Sequence, residues 1–188
     1  MQLLFCKEPI PRKLAFKSLG VEIVPDGEST AGEIIQARIA KARTMLSRAS
    51  AIEGGFTKRK TIVSTLVIAT GLYGVEGART SAQALHALDT AVLKCVWGPS
   101  RGSRAKEVVL HLLLPGHRIA ASLYVPYTRI LWLAGLARRQ LGTMYAAQAI
   151  WEKAEKPSVK GPMGRALAEV RKLGWTPTSG WWAWEVAD

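Results

Sequence analysis

Seven basic side chains lie within residues 38–60, and basic side chains so closely spaced can bind phosphate groups. They are Arg38, Lys41, Arg43, Arg48, Lys58, Arg59 and Lys60. Residues 33–60 contain only two acidic side chains, Glu33 and Glu53, so the segment has a net charge of +5. With so few carboxylates, i,i+4 ion pairs cannot neutralise the row. We therefore expect these cations to contact a phosphate backbone, and a solvated helix face is the alternative.

A second basic segment spans residues 101–140, with seven basic side chains, one acidic side chain and a net charge of +6. These two segments account for nearly all of the net charge of +12 in the 188-residue chain. The loop Arg101-Gly102-Ser103-Arg104 places two guanidinium groups beside flexible backbone amides, a combination that can hold phosphate. An exposed loop without a ligand explains the same residues equally well.

The residue patterns of common catalytic sites are missing from the sequence. Its acidic residues are scattered, its three histidines have no metal-ligand spacing, and no serine or cysteine stands in a nucleophile motif. Phosphate-binding glycine loops of the P-loop or dinucleotide type are also missing. From these patterns we expect no catalytic activity, no metal and no cofactor in this chain.

The basic segment 33–60 begins with the clearest helix in the sequence. Ser29 or Thr30 can cap it, Glu33 completes a capping box, and Gly54-Gly55 ends it. One apolar stripe follows the helical period through Ile35, Ile39, Ala42, Leu46 and Ala49. At 100° per residue, Arg38, Lys41 and Arg48 lie along one edge of this stripe, and Arg43 lies on its other side. The helix can thus pack on a core while it presents cations beside it.

Further helices are expected along most of the remaining chain. Residues 56–75 are predicted as a buried central helix, because the run is longer than a usual strand despite its β-branched residues. Ser81 or Thr80 caps the next helix, and a fourth begins at Ser103. From Arg118 the chain is helical again, with Pro126 either a break or the start of a new helix. The predicted core positions of these three helices are Leu85, Leu88, Val92, Cys95 and Val96, then Val108, Val109, Leu112 and Leu113, then Ile130, Leu131, Leu133 and Ala134.

The two ends of the chain differ from this helical middle. Residues 3–6 and 16–24 are predicted as short strands that pair with each other. Residues 153–164 are rich in proline, glycine and lysine, which is typical of a linker, and a short helix at 165–173 follows. The predicted fold is mainly α, a multi-helix bundle with a small N-terminal β-hairpin. Its parts are a β segment (1–27), a helical domain (28–152), and a linker, short helix and Trp-rich tail (153–188).

The Trp-rich tail, residues 175–184, contains four of the seven tryptophans of the chain. Such rings can stack on exposed bases. They can also anchor the tail on the core or on a partner domain, and we favour this anchoring role.

Three short strings occur in a distinctive order along the chain: Lys17-Ser18-Leu19-Gly20-Val21, Leu72-Tyr73-Gly74-Val75-Glu76 and Leu114-Pro115-Gly116-His117. With the helices between them, residues 14–135 resemble the region that follows the catalytic palm in non-LTR retrotransposon reverse transcriptases. In that family a K-x-L-G-V strand leaves the palm, and a basic helix and an apolar helix ending in an L-Y-G-x-E-like string follow. The resemblance implies a thumb-like region that grips the template–primer duplex, RNA–DNA or DNA.

The same resemblance implies that polymerase activity needs residues outside this chain. In the family, the metal-binding aspartate pair lies upstream of the K-x-L-G-V strand, and no such pair occurs here. We therefore expect a non-catalytic fragment that works with a palm and fingers, or with a downstream domain reached through the Trp-rich tail. Two alternatives stay open: a stand-alone basic helical nucleic-acid-binding protein, and a relic fragment without independent function.

The sequence also bounds where the chain works. Residues 1–5 form too short an apolar run for a signal peptide, and Lys7, Glu8 and Pro9 interrupt it. The longest apolar stretch, residues 61–75, is shorter than the roughly 20 residues of a membrane-spanning helix. Two cysteines give no disulfide framework. We expect an intracellular protein, nuclear or cytoplasmic, with no membrane partner.

Overall fold

The structure is a computed structural model that describes residues 33–98, 105–106, 108–139, 141–153 and 161–178. It also describes five short strands at residues 4–5, 8–9, 16–18, 21–23 and 184–186. The fold is mainly α with short β-hairpins, which confirms the predicted fold class. Among the described helices, none is both long enough and apolar enough to cross a bilayer.

In chain order, with two π-helical segments labelled π1 and π2, the described helical elements are α1 Glu33–Ser50, α2 Phe56–Ile62, π1 Val63–Val67, α3 Ile68–Gly71, α4 Ala82–Trp97, π2 Val108–Leu113, α5 Gly116–Ile119, α6 Ala121–Arg139, α7 Leu141–Lys153 and α8 Gly161–Lys172. The strands are β1 Leu4–Phe5, β2 Glu8–Pro9, β3 Phe16–Ser18, β4 Val21–Ile23, β5 Trp175–Pro177 and β6 Trp184–Val186.

Three separate antiparallel hairpins contain all six of these strands. β1 pairs with β2, and β3 pairs with β4 through Lys17 opposite Glu22. The predicted pairing of residues 3–6 with residues 16–24 is therefore wrong, because each segment closes its own hairpin with its nearest neighbour in sequence. Such local pairing has a lower loop-closure cost. The third hairpin, β5 with β6, has no counterpart in the sequence prediction.

Helix α1 packs through the stripe that the sequence predicts. Every residue of the stripe is at most 3% exposed: Ile35, Ile39, Ala42, Leu46 and Ala49. These side chains face α4 on one flank and the α2–π1–α3 helix on the other. The predicted capping residues 29 and 30 lie outside the described residues.

Segments α2, π1 and α3 form one continuous helix from Phe56 to Gly71. This confirms helix rather than strand for the β-branched run, but the helix predicted to be buried at the centre is buried on one face only. Leu66 is 52% exposed, because only the face containing Val63, Val67 and Ile68 packs on the core. A methyl group added at Gly71 would lie 2.6 Å from the Ala42 side chain, so this glycine lets the helix approach α1 closely.

Burial on α4 follows the prediction, whereas burial on the next helical segment does not. All five predicted core positions of α4 are buried, Leu85, Leu88, Val92, Cys95 and Val96.

On π2, only Val109 of the four predicted core residues is buried; Val108, Leu112 and Leu113 are exposed, and Leu110 and Leu114 are buried instead. The amide of Leu114 donates to the carbonyl of Val109, an i→i+5 bond. The prediction assumed the 3.6-residue turn of an α-helix. A π turn contains more residues, so different side chains face the core.

Helix α6 passes through Pro126 without a break. Of its four predicted core residues only Leu133 is buried; Ile130 and Ala134 are half-buried and Leu131 is 51% exposed. The buried stripe is Ala121, Val125, Arg129 and Leu133, four residues apart. The prediction was shifted because an arginine occupies a core position of this stripe.

Helix α8 packs on α6 and α7, and β5 follows it closely. A small apolar cluster forms between these helices from Leu133, Ala147, Ala166 and Leu167. The larger cluster lies among α1, the α2–π1–α3 helix, α4 and the start of α6. The short helix predicted at 165–173 begins earlier, at Gly161, with Pro162 in its first turn.

Candidate nucleic-acid interface

The predicted cations of α1 lie on two sides of the helix. Lys41 and Arg48 are exposed on the edge that faces away from α4, and Arg43 is exposed on the opposite edge. None of these three side chains forms an ion pair with a residue that the structure describes. Their charges are therefore available to an external anion.

Arg38 differs from its neighbours because it binds the protein itself. Its Nη1 donates to the carbonyl oxygen of Tyr73 over 2.5 Å, and its guanidinium lies 5.3 Å from the centre of the Tyr73 ring. The side chain is half-buried. Arg38 thus joins the basic helix α1 to the turn that follows α3.

The three cations at the start of α2 lie in different surroundings. Lys58 is exposed, and its ammonium donates to the carbonyl of Glu53 over 3.3 Å. Arg59 and Lys60 are half-buried. The Nε of Arg59 is buried and has no hydrogen-bond partner among the described residues. Arg59 is also close enough to Cys95 to oppose the rise that burial causes in the pKa of that thiol.

A groove of about 650 Å³ runs between α1 and α4 on the Arg43 side of α1. We call it the α1–α4 groove; its lining residues are Ala40, Arg43, Thr44, Leu46, Ser47 and Ser50 from α1, and Ala87, Thr90, Ala91, Lys94 and Cys95 from α4. The two helices pack together at their buried faces. Most of the lining side chains are small and do not fill the space between the outer faces of the helices, so a channel remains there.

Basic and hydroxyl groups dominate the polar surface of the α1–α4 groove. Arg43 and Lys94 are exposed on opposite walls. The ammonium of Lys106 lies 3.4 Å from the hydroxyl of Thr90 and 3.0 Å from the carbonyl of His86. Lys106 thus adds a third positive charge at the α4 wall. No carboxylate is present among the lining residues.

The nearest acidic residue in sequence, Asp89, points away from this groove. It is 1% exposed, and its carboxylate accepts hydrogen bonds from the backbone amides of Ala121 and Ser122 at the start of α6, over 2.5 and 3.3 Å. The carboxylate therefore caps another helix and does not compete for an anion in the groove.

Sequence reasoning found Arg43 but missed Lys94 and Lys106. A signal was present, because Ala87, Thr90, Ala91 and Lys94 recur at spacings of three and four on α4. The same pattern of small and basic residues occurs on α1 at Ala40, Arg43, Thr44 and Ser47. Two matching stripes of small residues flanked by cations indicate helices that leave a basic channel between them.

The remaining predicted residues stay untested. Arg101 and Arg104 lie outside the described residues, as do two tryptophans of the tail, Trp181 and Trp182. Trp175 is 36% exposed in the first strand of the C-terminal hairpin. Among the residues that the structure describes, no group of three or more His, Cys, Asp or Glu side chains is placed to hold a metal ion.

The strings that carry the resemblance lie in turns and at the ends of elements. Residues 72–76 form the turn after α3, residues 114–115 join π2 to α5, and Gly116 and His117 begin α5. Lys17 and Val21 lie in the paired strands β3 and β4. No protein-family model, no curated protein and no solved structure matches this chain.

Proposed function

We propose that this chain binds a nucleic-acid duplex, RNA–DNA or DNA, through phosphate contacts, as the non-catalytic post-palm part of a non-LTR retrotransposon reverse transcriptase. One observation carries the binding proposal: the exposed cations of α1 and the start of α2 have no carboxylate partners among the described residues. Unpaired cations on a rigid helix attract a polyanion and release its counterions.

The distribution of described ion pairs supports this use of the charge. Both pairs are formed by Glu169, which contacts Arg129 at 2.7 Å and Lys172 at 3.1 Å. The first pair joins α6 to α8, and the second lies within α8. Lys41, Arg43 and Arg48 of α1 thus have no neutralising partner among the described residues, whereas the α6–α8 surface is partly neutralised.

The reverse-transcriptase part of the proposal rests on the order of the three strings and of the helices between them. The contact between Arg38 and Tyr73 supports it, because it ties the basic helix to the Leu72–Glu76 string. In this proposal α1 and the start of α2 face the duplex. The palm, with its aspartate pair, would precede Lys17 in the parent enzyme, so the activity of the parent does not reside in this chain.

The proposal is tested by fluorescence anisotropy with a labelled 20-base-pair RNA–DNA hybrid and a duplex of the same length in DNA. The test variant is Lys41→Gln/Arg48→Gln, which removes two exposed charges of α1 and keeps side chains that favour helix. The matched control is Arg138→Gln/Arg139→Gln, which removes two exposed charges from the end of α6. Both variants lower the net charge by the same amount.

We expect the α1 variant to weaken duplex binding roughly tenfold, since it loses two phosphate contacts, and the α6 control to weaken it much less. Circular dichroism at the helical bands confirms that both variants fold. Equal weakening by the two variants would mean that net charge alone attracts the duplex. Unchanged binding by the α1 variant would refute its assigned role.

A further inference from the structure

We infer that the α1–α4 groove holds the sugar–phosphate backbone of a single nucleic-acid strand. This inference rests on the proposed function and adds to it a specific site and a ligand class. In it, the Arg43 side of α1 receives one strand inside the groove, whereas the Lys41 and Arg48 edge faces the outer surface of the duplex.

The dimensions of the groove select a strand rather than a duplex. Packed helices have axes about 8–10 Å apart. A duplex, whose major groove alone is about 12 Å wide, cannot enter a channel between such helices. The groove runs along α1 from Ala40 to Ser50, a length of roughly 15 Å at the helical rise. This length is enough for several consecutive phosphates of one strand.

The chemistry of the walls fits phosphate and sugar. Arg43 and Lys94 supply cations from opposite walls, and Lys106 adds one beside Thr90. Thr44, Ser47 and Ser50 line the α1 wall with hydroxyls that donate to carbonyls of their own helix, so their oxygens can still accept hydrogen bonds. Arginine and lysine bind phosphate oxygens, and hydroxyls complete such contacts.

The lining also excludes recognition of bases by stacking. No aromatic side chain is present among the lining residues. Proteins that bind the bases of single strands stack them on aromatic rings, and this groove has none to offer. The bases of a bound strand therefore point outward, and binding does not depend on sequence.

A small anion such as free phosphate fits this groove less well than a strand does. The groove is an open channel along two helices, with its cations spread over both walls. A single phosphate would contact one cation at a time, whereas consecutive phosphates of a strand contact all of them together.

The test compares three double variants of the full chain in binding to a labelled oligothymidylate of 12 nucleotides. Arg43→Gln/Lys94→Gln removes the charges of the groove. Ser47→Leu/Ala87→Leu narrows the groove from both walls without changing the charge. Arg138→Gln/Arg139→Gln is the control that removes two exposed charges from the end of α6, outside the groove.

We expect both groove variants to weaken oligothymidylate binding at least about tenfold, and the control to weaken it much less. The charge variant should also make the slope of log K against log salt less negative by about 1.4, because about 0.7 counterions are released per single-strand phosphate. Circular dichroism and thermal melting verify that each variant folds.

Two outcomes overturn the inference, and they differ from failure of the proposed function. If the groove variants and the control weaken binding equally, or if the narrowed groove binds normally, the strand lies elsewhere and duplex binding still stands. If the unmodified chain binds neither duplex nor oligothymidylate at 50 mM salt, a condition that favours phosphate contacts, the proposed function itself fails.

Discussion

Substitution of Arg129 gives the most stringent test of how α6 packs against α8 and the turn before α4. The Arg129 side chain is 8% exposed on the core face of α6, and it donates to Glu169 at 2.7 Å and to the carbonyl of Ala78 at 2.9 Å. Burial lowers the pKa of the Arg129 guanidinium, and the charge of Glu169 opposes this change. One side chain thus ties α6 to α8 and to the turn that precedes α4.

Arg129→Met would leave the Glu169 carboxylate, which is 12% exposed, without its main partner. Removing one member of a buried pair costs about 3–5 kcal/mol. Lys172 still contacts Glu169 at 3.1 Å, so we expect the lower end, about 3 kcal/mol. For a chain of this size, that loss lowers Tm by about 6–12 °C. Urea denaturation followed by circular dichroism measures the free energy of unfolding.

The double variant Arg129→Met/Glu169→Met removes both charges and should be more stable than Arg129→Met alone, because no buried carboxylate is left unpaired. Lys172→Met is the control; its side chain is 70% exposed, and we expect a loss below about 1 kcal/mol. A loss below about 1 kcal/mol for Arg129→Met, or a double variant no more stable than that single variant, would refute the assignment of a buried clamp.

Two further predictions concern close packing and the π-helical register. Gly71→Ala should destabilise the chain by about 1–3 kcal/mol, since the new methyl group would lie 2.6 Å from Ala42. Gly135→Ala, where the methyl group meets nothing within 4 Å, should stabilise the chain by up to about 1 kcal/mol. A higher melting temperature for Gly71→Ala than for Gly135→Ala would contradict the packing of α3 on α1. Leu110→Ala should cost about 2–5 kcal/mol because Leu110 is fully buried. Leu112→Ala should stay within about 0.5 kcal/mol because Leu112 is 78% exposed; similar losses in urea denaturation would reject the π-helical register.

The sequence predicted most accurately where one apolar stripe follows a regular α-helical period. The stripe of α1 and the core positions of α4 agree with the structure residue by residue. The predictions failed where local geometry departs from that period, as in π2, where Leu110 replaces Leu112 in the core. They also failed on α6, because a sequence pattern treats Arg129 as a surface residue, whereas a partner on a distant helix allows its burial.

The candidate site was only half accessible to sequence reasoning. Cations within one helix can be assigned to its edges by counting, and Arg43 was separated from Lys41 in this way. Which edge meets another helix depends on tertiary packing, so the meeting of Arg43 with Lys94 across a groove required the structure. The same limit applies to Arg38, whose contact with Tyr73 joins residues 35 positions apart.

The salt dependence of duplex binding by the unmodified chain tests the central claim most directly. Of the predicted cations that the structure describes, three are exposed outside the α1–α4 groove, Lys41, Arg48 and Lys58. If each neutralises one phosphate of the duplex, log K falls against log salt with a slope of about −2.7 between 50 and 200 mM. A slope near this value on duplexes of unrelated sequence is the predicted result. Absence of binding at 50 mM salt, or binding that salt does not weaken, would contradict a phosphate-backbone grip.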